Sequence, residues 1–360
     1  MNSNIIKISK ILTYLPLLIS FKIKNAFSKK SENNEVLVIA LSKIGDTIFL
    51  SFAISLLYKI YGERLTIFCY KHSETLLKEQ LPNLRFLSIE VKDVIKGRFI
   101  NKNVLKQINN SNPGKIYDLT GSIIAASILY YSKAKDIIGF NEKYFSYLYT
   151  KFCKLDNTPH LIDMYLKPVL KEFPDIKSIK EFRINFNPND RILIFPFGGW
   201  AAKEWNIEKY ILLQKELSKN YECKFIMEKN SYNSIFDIKN VILTNNIEEL
   251  LNELKRCSLM ISNDSGPLYI ANMLGIPTFT IYGPTNPSYS LPFGLYHRFI
   301  QSNVHCIPKG NNQYCYTDAG RNGCKKFICM EELYYEQVYN KVLDFTEYLK
   351  INNKNEVVVQ

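Results

Sequence analysis

Residues 35–70 read EVLVIALSKIGDTIFLSFAISLLYKIYGERLTIFCY, and their apolar pattern decides the fold. The run Val36 to Leu41 is continuously apolar, as a strand covered on both faces must be. Thr47 to Tyr61 carries apolar residues at helical spacing, and Gly62 ends that run. Leu65 to Tyr70 is the next strand. Strand, helix, strand in that order is a βαβ unit, which implies a parallel sheet with a right-handed crossover.

The same grammar continues outward. KIYDLTGS (115–122) reads as a strand ending in polar residues, followed by a helix around Ile123 to Tyr131 and by KDIIGF (135–140). HLIDMYLKPVLKEF (160–173) reads as a helix. Residues 173–190 are rich in Pro, Asn and charge and read as a link. A second alternation follows: the strand and glycine loop RILIFPFGG (191–199), the helix NIEKYILLQKELSKN (206–220), the strand CKFIME (223–228), the helix IEELLNELKRC (247–257) and the strand LMIS (259–262). Another helix and the strand Thr278 to Tyr282 come next, and residues 331–350 form a last amphipathic helix. A chain of 360 residues exceeds one ordinary core, and 46% hydrophobic residues suffice for two. The expectation is α/β: a basic extension over 1–34, one Rossmann-like parallel-sheet domain over 35–175, and a second over 176–350.

Ligands in such sheets sit beyond the carboxyl ends of strands, so the residues just after strands carry the functional reading. In SNDSGPLYIANM (262–273) a helix begins near Ser265 to Pro267 and offers free N–H groups. Gly266 permits close approach of an anion. Asp264 beside it repels phosphate and suits sugar hydroxyls. A plain helix cap is the commoner reading of these residues taken alone. In FPFGGWAAKEW (195–205), Gly198 and Gly199 expose backbone amides and Lys203 supplies a point charge for a pyrophosphate; a glycine turn with a solvated lysine is the alternative. In LSKIGDTIF (41–49), Asp46 follows the first strand at a helix start, either as a general base or as a complement to the helix dipole. Neither the P-loop spacing nor the three-glycine dinucleotide fingerprint is present.

Together these blocks resemble glycosyltransferase family 9, the ADP-heptose:lipopolysaccharide heptosyltransferases, over roughly residues 35–350 on the domain-length prior. SNDSGPLYIANMLGIPTFTIYGPTNP (262–287) is similar to the family pattern S-x-D-[ST]-G-x-x-H-x-A…P…L-[FY]-G-x-T-x-P. LSKIGDTIFLSFAISLL resembles its S-x-[LI]-G-D block, KEW its K-x-W block, and HLIDMYL the helix before its link. The resemblance implies a GT-B fold, two Rossmann-like domains facing a cleft with the last helix crossing back to the first. It makes the first domain the acceptor side and the second the donor side. It implies inverting transfer from a nucleotide-activated sugar, with heptose from ADP-heptose the family default. Asp46 becomes the catalytic base. Lys203 neutralises donor phosphate, Gly198 and Gly199 line the phosphate loop, Asp264 holds sugar hydroxyls, and the amides of Ser265 and Gly266 meet the pyrophosphate. No metal and no cofactor are implied, and no convincing DxD motif occurs. Two departures stand out. Tyr269 occupies the family's histidine position, where its hydroxyl donates to phosphate or sugar but carries no charge near neutral pH. Glu228 is only a weak match to the acid that contacts the donor ribose.

The net charge is +12, and residues 1–30 supply half of it through Lys7, Lys10, Lys22, Lys24, Lys29 and Lys30, with no acid. The uncharged run Ile11 to Phe21 is too short to span a bilayer and is interrupted by Pro16. A basic amphipathic segment on an anionic membrane surface is the favoured reading. A packed helix and a signal peptide without a clear cleavage site are the others. The expected place is the cytoplasm, peripheral on the inner face of the cytoplasmic membrane, with a lipid-linked saccharide as acceptor. No nucleic-acid partner is expected, because the basic surplus sits mostly in the extension and no recognition motif occurs. Cys69, Cys153, Cys223 and Cys257 read as buried thiols. Cys306, Cys315, Cys324 and Cys329 cluster with eight, eight and four intervening residues, unlike paired zinc knuckles. Reduced thiols, a metal site and disulfides all stay open for them. Competing activities are a sugar-nucleotide epimerase or hydrolase, or a non-catalytic sugar-nucleotide binding protein.

Overall fold

The computed structural model describes residues 16, 19–24, 28–95, 99–154, 160–176, 189–231, 240–315, 324 and 327–356. The chain divides into two compact units, residues 1–156 with 162–178, and residues 157–161 with 179–360. Most of the link expected at 173–190, and most of the extension expected at 1–34, lies outside the described residues.

The first unit contains β1 (Val36–Ala40), α1 (Ile44–Tyr61), β2 (Leu65–Tyr70), α2 (Lys71–Gln80) and β3 (Arg85–Ile89). A small antiparallel pair follows, β4 (Val94–Ile95) and β5 (Phe99–Ile100), then α3 (Lys102–Asn110), β6 (Lys115–Asp118), α4 (Ile123–Tyr131), β7 (Asp136–Phe140), β8 (Lys151–Cys153) and α5 (Leu161–Glu172). Its main sheet is parallel, in the order β3-β2-β1-β6-β7-β8. β1 is buried at all five positions, as its unbroken apolar run requires. Helix α1 begins at Ile44, three residues before the apolar periodicity shows, and this places Asp46 in its first turn. By length and composition Ile44–Arg64 is apolar enough to cross a membrane. Nine side chains of α1 are buried within the unit, however, which is how a crossover helix packs on its own sheet.

The second unit contains β9 (Arg191–Phe195), α6 (Ile207–Leu217), β10 (Glu222–Glu228), β11 (Val241–Thr244), α7 (Ile247–Leu254), β12 (Leu259–Asn263), α8 (Gly266–Met273), β13 (Thr278–Tyr282), α9 (Pro287–Ser290), β14 (His297–Gln301), α10 (Ile328–Glu331) and α11 (Tyr335–Glu356). Its sheet runs β11-β10-β9-β12-β13-β14, again parallel throughout. Both sheets thus place the first strand in their sequence centrally, and the strand order reverses there. Between β1 and β6, and between β9 and β12, lie the crevices where such sheets hold ligands. Val338, Val342, Phe345 and Leu349 of α11 sit at helical spacing and are buried with Phe279 and Ile281 in the second unit's core.

Candidate functional site

Asp46 is half-buried, and its Oδ1 accepts a hydrogen bond from the Tyr165 hydroxyl of α5 at 3.1 Å. The segment from the end of β1 into α1 that carries it is tied to two other elements. The Leu41 N–H donates to Thr120 Oγ1 at 2.9 Å, joining the end of β1 to the end of β6. Buried Thr47 meets Ser42 Oγ at 3.0 Å and Ser73 Oγ at 2.8 Å. A carboxylate at a helix start is a group of the kind that can take a proton from a hydroxyl. Tyr165 lies inside the HLIDMYL block, but its partner is 119 residues away, so no local pattern reveals the contact.

In the second unit Lys203, Asp264 and Tyr269 converge. Lys203 Nζ donates to Asp264 Oδ2, and the Tyr269 hydroxyl donates to Asp264 Oδ1. All three residues are less than a tenth exposed. Lys203 Nζ also lies 4.2 Å from the centroid of the Trp200 ring, a cation–π contact. Burial, and then the Asp264 charge, push the Tyr269 phenol well above its ordinary range, so it stays a donor. The Tyr282 phenol is raised by burial, with Asp264 again contributing.

Helix α8 opens beside this group with Pro267 in its first turn, and no side chain caps it. Asp264 is engaged by Lys203 and Tyr269, and Ser265 Oγ meets Ser262 Oγ at 2.7 Å. The local cap that the sequence allows is therefore not made, and the first-turn amides keep their affinity for an anion. In the β9 loop the Gly198 N–H donates to Glu204 Oε1 at 3.1 Å, whereas Gly199 is exposed. A Cβ on Gly198 would lie 2.9 Å from Lys203 Cβ; one on Gly199 would meet nothing within 4 Å. Asn263 ties the two loops: its Nδ2 donates to the Pro196 carbonyl at 2.6 Å and its Oδ1 accepts the Trp205 N–H at 3.1 Å. Trp205 is a core residue, with its indole N–H on the Leu333 carbonyl at 2.9 Å. Glu228 ends β10 with an exposed side chain.

All eight cysteines are free thiols. Cys306 and Cys329 border one apolar cluster, and the Cys315 N–H donates to the Pro284 carbonyl at 3.1 Å. Burial, then the neighbouring thiols of Cys315, Cys306 and Cys324, push the Cys329 thiol up to about 12. Among the described residues no three His, Cys, Asp or Glu side chains are set to hold a metal.

A model of glycosyltransferase family 9 (heptosyltransferase) matches residues 103–317, more than half of the chain. The chain belongs to this family. It is a glycosyltransferase. The lipopolysaccharide core heptosyltransferase OpsX of Haemophilus influenzae is 24% identical over 288 residues, 71% of this chain and 81% of that protein. Among solved structures, E. coli ADP-heptose lps heptosyltransferase II superimposes with a TM-score of 0.67 at 14% identity, covering 88% of this chain and 99% of that one. E. coli heptosyltransferase WaaC with ADP does so with a TM-score of 0.61 at 13% identity, covering 87% and 98%. The paired parallel sheets are those of the GT-B fold that the family's motifs imply.

Proposed function

We propose that this family 9 enzyme transfers heptose from ADP-heptose to a lipopolysaccharide core saccharide, with inversion at the anomeric carbon. Asp46 takes the proton of the acceptor hydroxyl as its oxygen bonds to the anomeric carbon. The bond from that carbon to the diphosphate breaks, and ADP leaves with added negative charge. Lys203 and the amides at the start of α8, those of Ser265 and Gly266 among them, receive that charge. Gly199 gives the diphosphate room at the β9 loop, while Gly198 lets that loop close over Lys203. Asp264 and Tyr269 face the sugar.

The observation that carries this reading is the buried Lys203–Asp264–Tyr269 group beside an uncapped helix start. In the free enzyme Asp264 holds Lys203 in place, and a pyrophosphate is the natural competitor for that cation. The extension at 1–34 keeps the enzyme on the cytoplasmic face of the membrane, where a lipid-linked acceptor is presented.

The test supplies ADP-heptose with and without a soluble core-saccharide acceptor and follows products by mass spectrometry. Acceptor-dependent formation of the heptosylated saccharide is the expected result. Free heptose without need of acceptor indicates a hydrolase, and saturable binding without turnover indicates a binding protein. Donor at a hundred times its dissociation constant raises stability by about 2.7 kcal/mol, and a screen against UDP- and GDP-sugars reads the base preference in the same way.

A further inference from the structure

The membrane reading above rests on the lysine count of the N-terminal extension, but the described part of that extension is not a free tail. Residues 19–24 are helical, and Phe21 is 5% exposed within the first unit's core. Its ring lies 5.7 Å from that of Tyr130 and 5.5 Å from that of Tyr147. Ser20 Oγ meets the Tyr130 hydroxyl at 2.6 Å, and Lys24 Nζ donates to the Tyr130 carbonyl at 3.0 Å. At about 100° per residue, Ile19 and Ile23 fall on the face opposite Phe21. They are 52% and 56% exposed. The two neighbouring flanks carry Lys22 and Lys24.

The body continues this face. Tyr131, the last residue of α4, is 49% exposed, and Lys24 Nζ sits 4.6 Å from its ring centroid. Past the helix the chain pairs with the segment after α4: Ser31 bridges Ala134, and the Ser31 N–H donates to the Lys133 carbonyl at 2.8 Å. That pairing sets Lys30 beside exposed Lys133. The Lys24 ammonium is held below its ordinary range by burial and then by the like charges of Lys30 and Lys133. The first acid of the chain, Glu32, comes only after this helix.

We propose that the outer face of residues 19–24, together with Tyr131 and Lys133 of the body, is a docking surface for an anionic lipid bilayer. Apolar side chains ringed by ammonium groups match the acyl boundary and the phosphate layer of such a surface. A protein partner fits less well. A stable interface takes about 800 Å² from each side, and among the described residues the exposed large apolar side chains of this face are Ile19, Ile23 and Tyr131. The surface orients the enzyme, because it fixes which side of the first unit meets the lipid. A tethered tail alone does not.

This inference depends on the proposed peripheral attachment, so its test must tell the two apart. The full-length enzyme is floated with vesicles of phosphatidylglycerol and phosphatidylethanolamine, and with vesicles of phosphatidylcholine alone. Flotation with the first and not the second is expected. The body variant Tyr131→Ser/Lys133→Glu leaves every lysine of the extension in place. It should lose about tenfold or more in vesicle partitioning, since one lysine near an anionic leaflet is worth about fivefold and here its charge is reversed. Ile19→Ser/Ile23→Ser should lose a similar factor, and turnover on a soluble acceptor should be unchanged in both. Parent-like flotation of the body variant overturns the docking surface while leaving tail attachment standing. Failure of the parent to float overturns both. A dimer of the parent that Ile19→Ser/Ile23→Ser dissociates, seen by sedimentation, assigns the face to a second copy and overturns the lipid. Should the helix variant melt early, the body variant decides alone, because both of its side chains are exposed.

Discussion

Two buried aspartates end corresponding strands of the two units, and they are handled in opposite ways. Asp118 closes β6 in the first unit. Its Oδ1 accepts the N–H groups of Thr120 at 2.9 Å and Gly121 at 3.1 Å, and its Oδ2 accepts the Tyr149 hydroxyl at 2.6 Å. No cation is among its partners, and burial raises it to about 6. Asp264 follows β12 in the second unit and is paired with a buried lysine and a phenol. A carboxylate satisfied by its own turn is architecture: it shapes the loop whose Thr120 holds Leu41 and, through it, the approach to Asp46. A carboxylate paired with a distant lysine holds a buried cation in place. The first unit thus spends its buried carboxylate on its own turn, whereas the second uses one to hold a lysine from another loop.

Removing one partner should break this contrast most sharply. Lys203→Ala leaves Asp264 buried beside a single phenol and should cost the second unit about 3–5 kcal/mol, read by urea denaturation. Lys203→Met with Asp264→Leu should restore most of that stability without restoring donor binding. If the double variant still binds donor in calorimetry, the ion pair is only structural.

Acid separates the units next. His297, packed against Asn272 and Thr278, is lowered by burial from 6.5 to about 4. The unfolded chain takes up that proton first, so the second unit loses stability as pH falls from 6.5 towards 4, by at most about 3 kcal/mol. Asp118 has the opposite sign: its folded value lies above the unfolded 3.8, so the first unit gains stability as pH falls from about 6 towards 3.8. Both tryptophans, Trp200 and Trp205, belong to the second unit, so indole fluorescence follows that unit while circular dichroism follows both. The fluorescence transition should move to lower denaturant on acidification. A fluorescence midpoint unmoved between pH 6.5 and 4.5 would contradict the neutral, buried His297.

Asp46→Asn should lower transfer about a hundredfold, roughly 2.7 kcal/mol in the barrier, with donor affinity unchanged. Wild-type turnover removes Asp46 from the base role. Tyr165→Phe should have the smallest effect, about tenfold in turnover, because a hydrogen bond to a charged group is worth about 1.5 kcal/mol at its lower end. The loss should fall on turnover rather than on donor affinity. A purely structural role for Tyr165 would lower stability and leave turnover per folded molecule in place.

The βαβ grammar was legible wherever a strand was buried on both faces. β1, β12 and β13 are buried at every position, and their apolar runs stand out. The outer strands were not legible: β11 (VILT) and β14 (HRFIQ) are only partly covered, and their composition is mixed. Helix α3 escaped because it buries only Val104 and Ile108, too few to mark a period. Asp46, Lys203 and Asp264 could be named from their places after strands, but their partners could not. Lys203 meets Asp264 across 61 residues, and Asp264 is held by Tyr269 only because α8 turns back over it.

Asn263 carries a consequence for the order in which the chain folds. One side chain joins the Pro196 carbonyl to the Trp205 amide, across a pairing of β9 with β12 that is separated by more than sixty residues. Such non-local pairings form late, after the loop entropy between them has been lost. The β9 loop with Gly198, Gly199 and Lys203 thus takes its shape only when the centre of the second sheet has closed. A nascent or half-folded chain carries all the proposed donor-binding residues and yet does not bring them together, so on that proposal recognition of the nucleotide sugar is confined to molecules whose topology is complete.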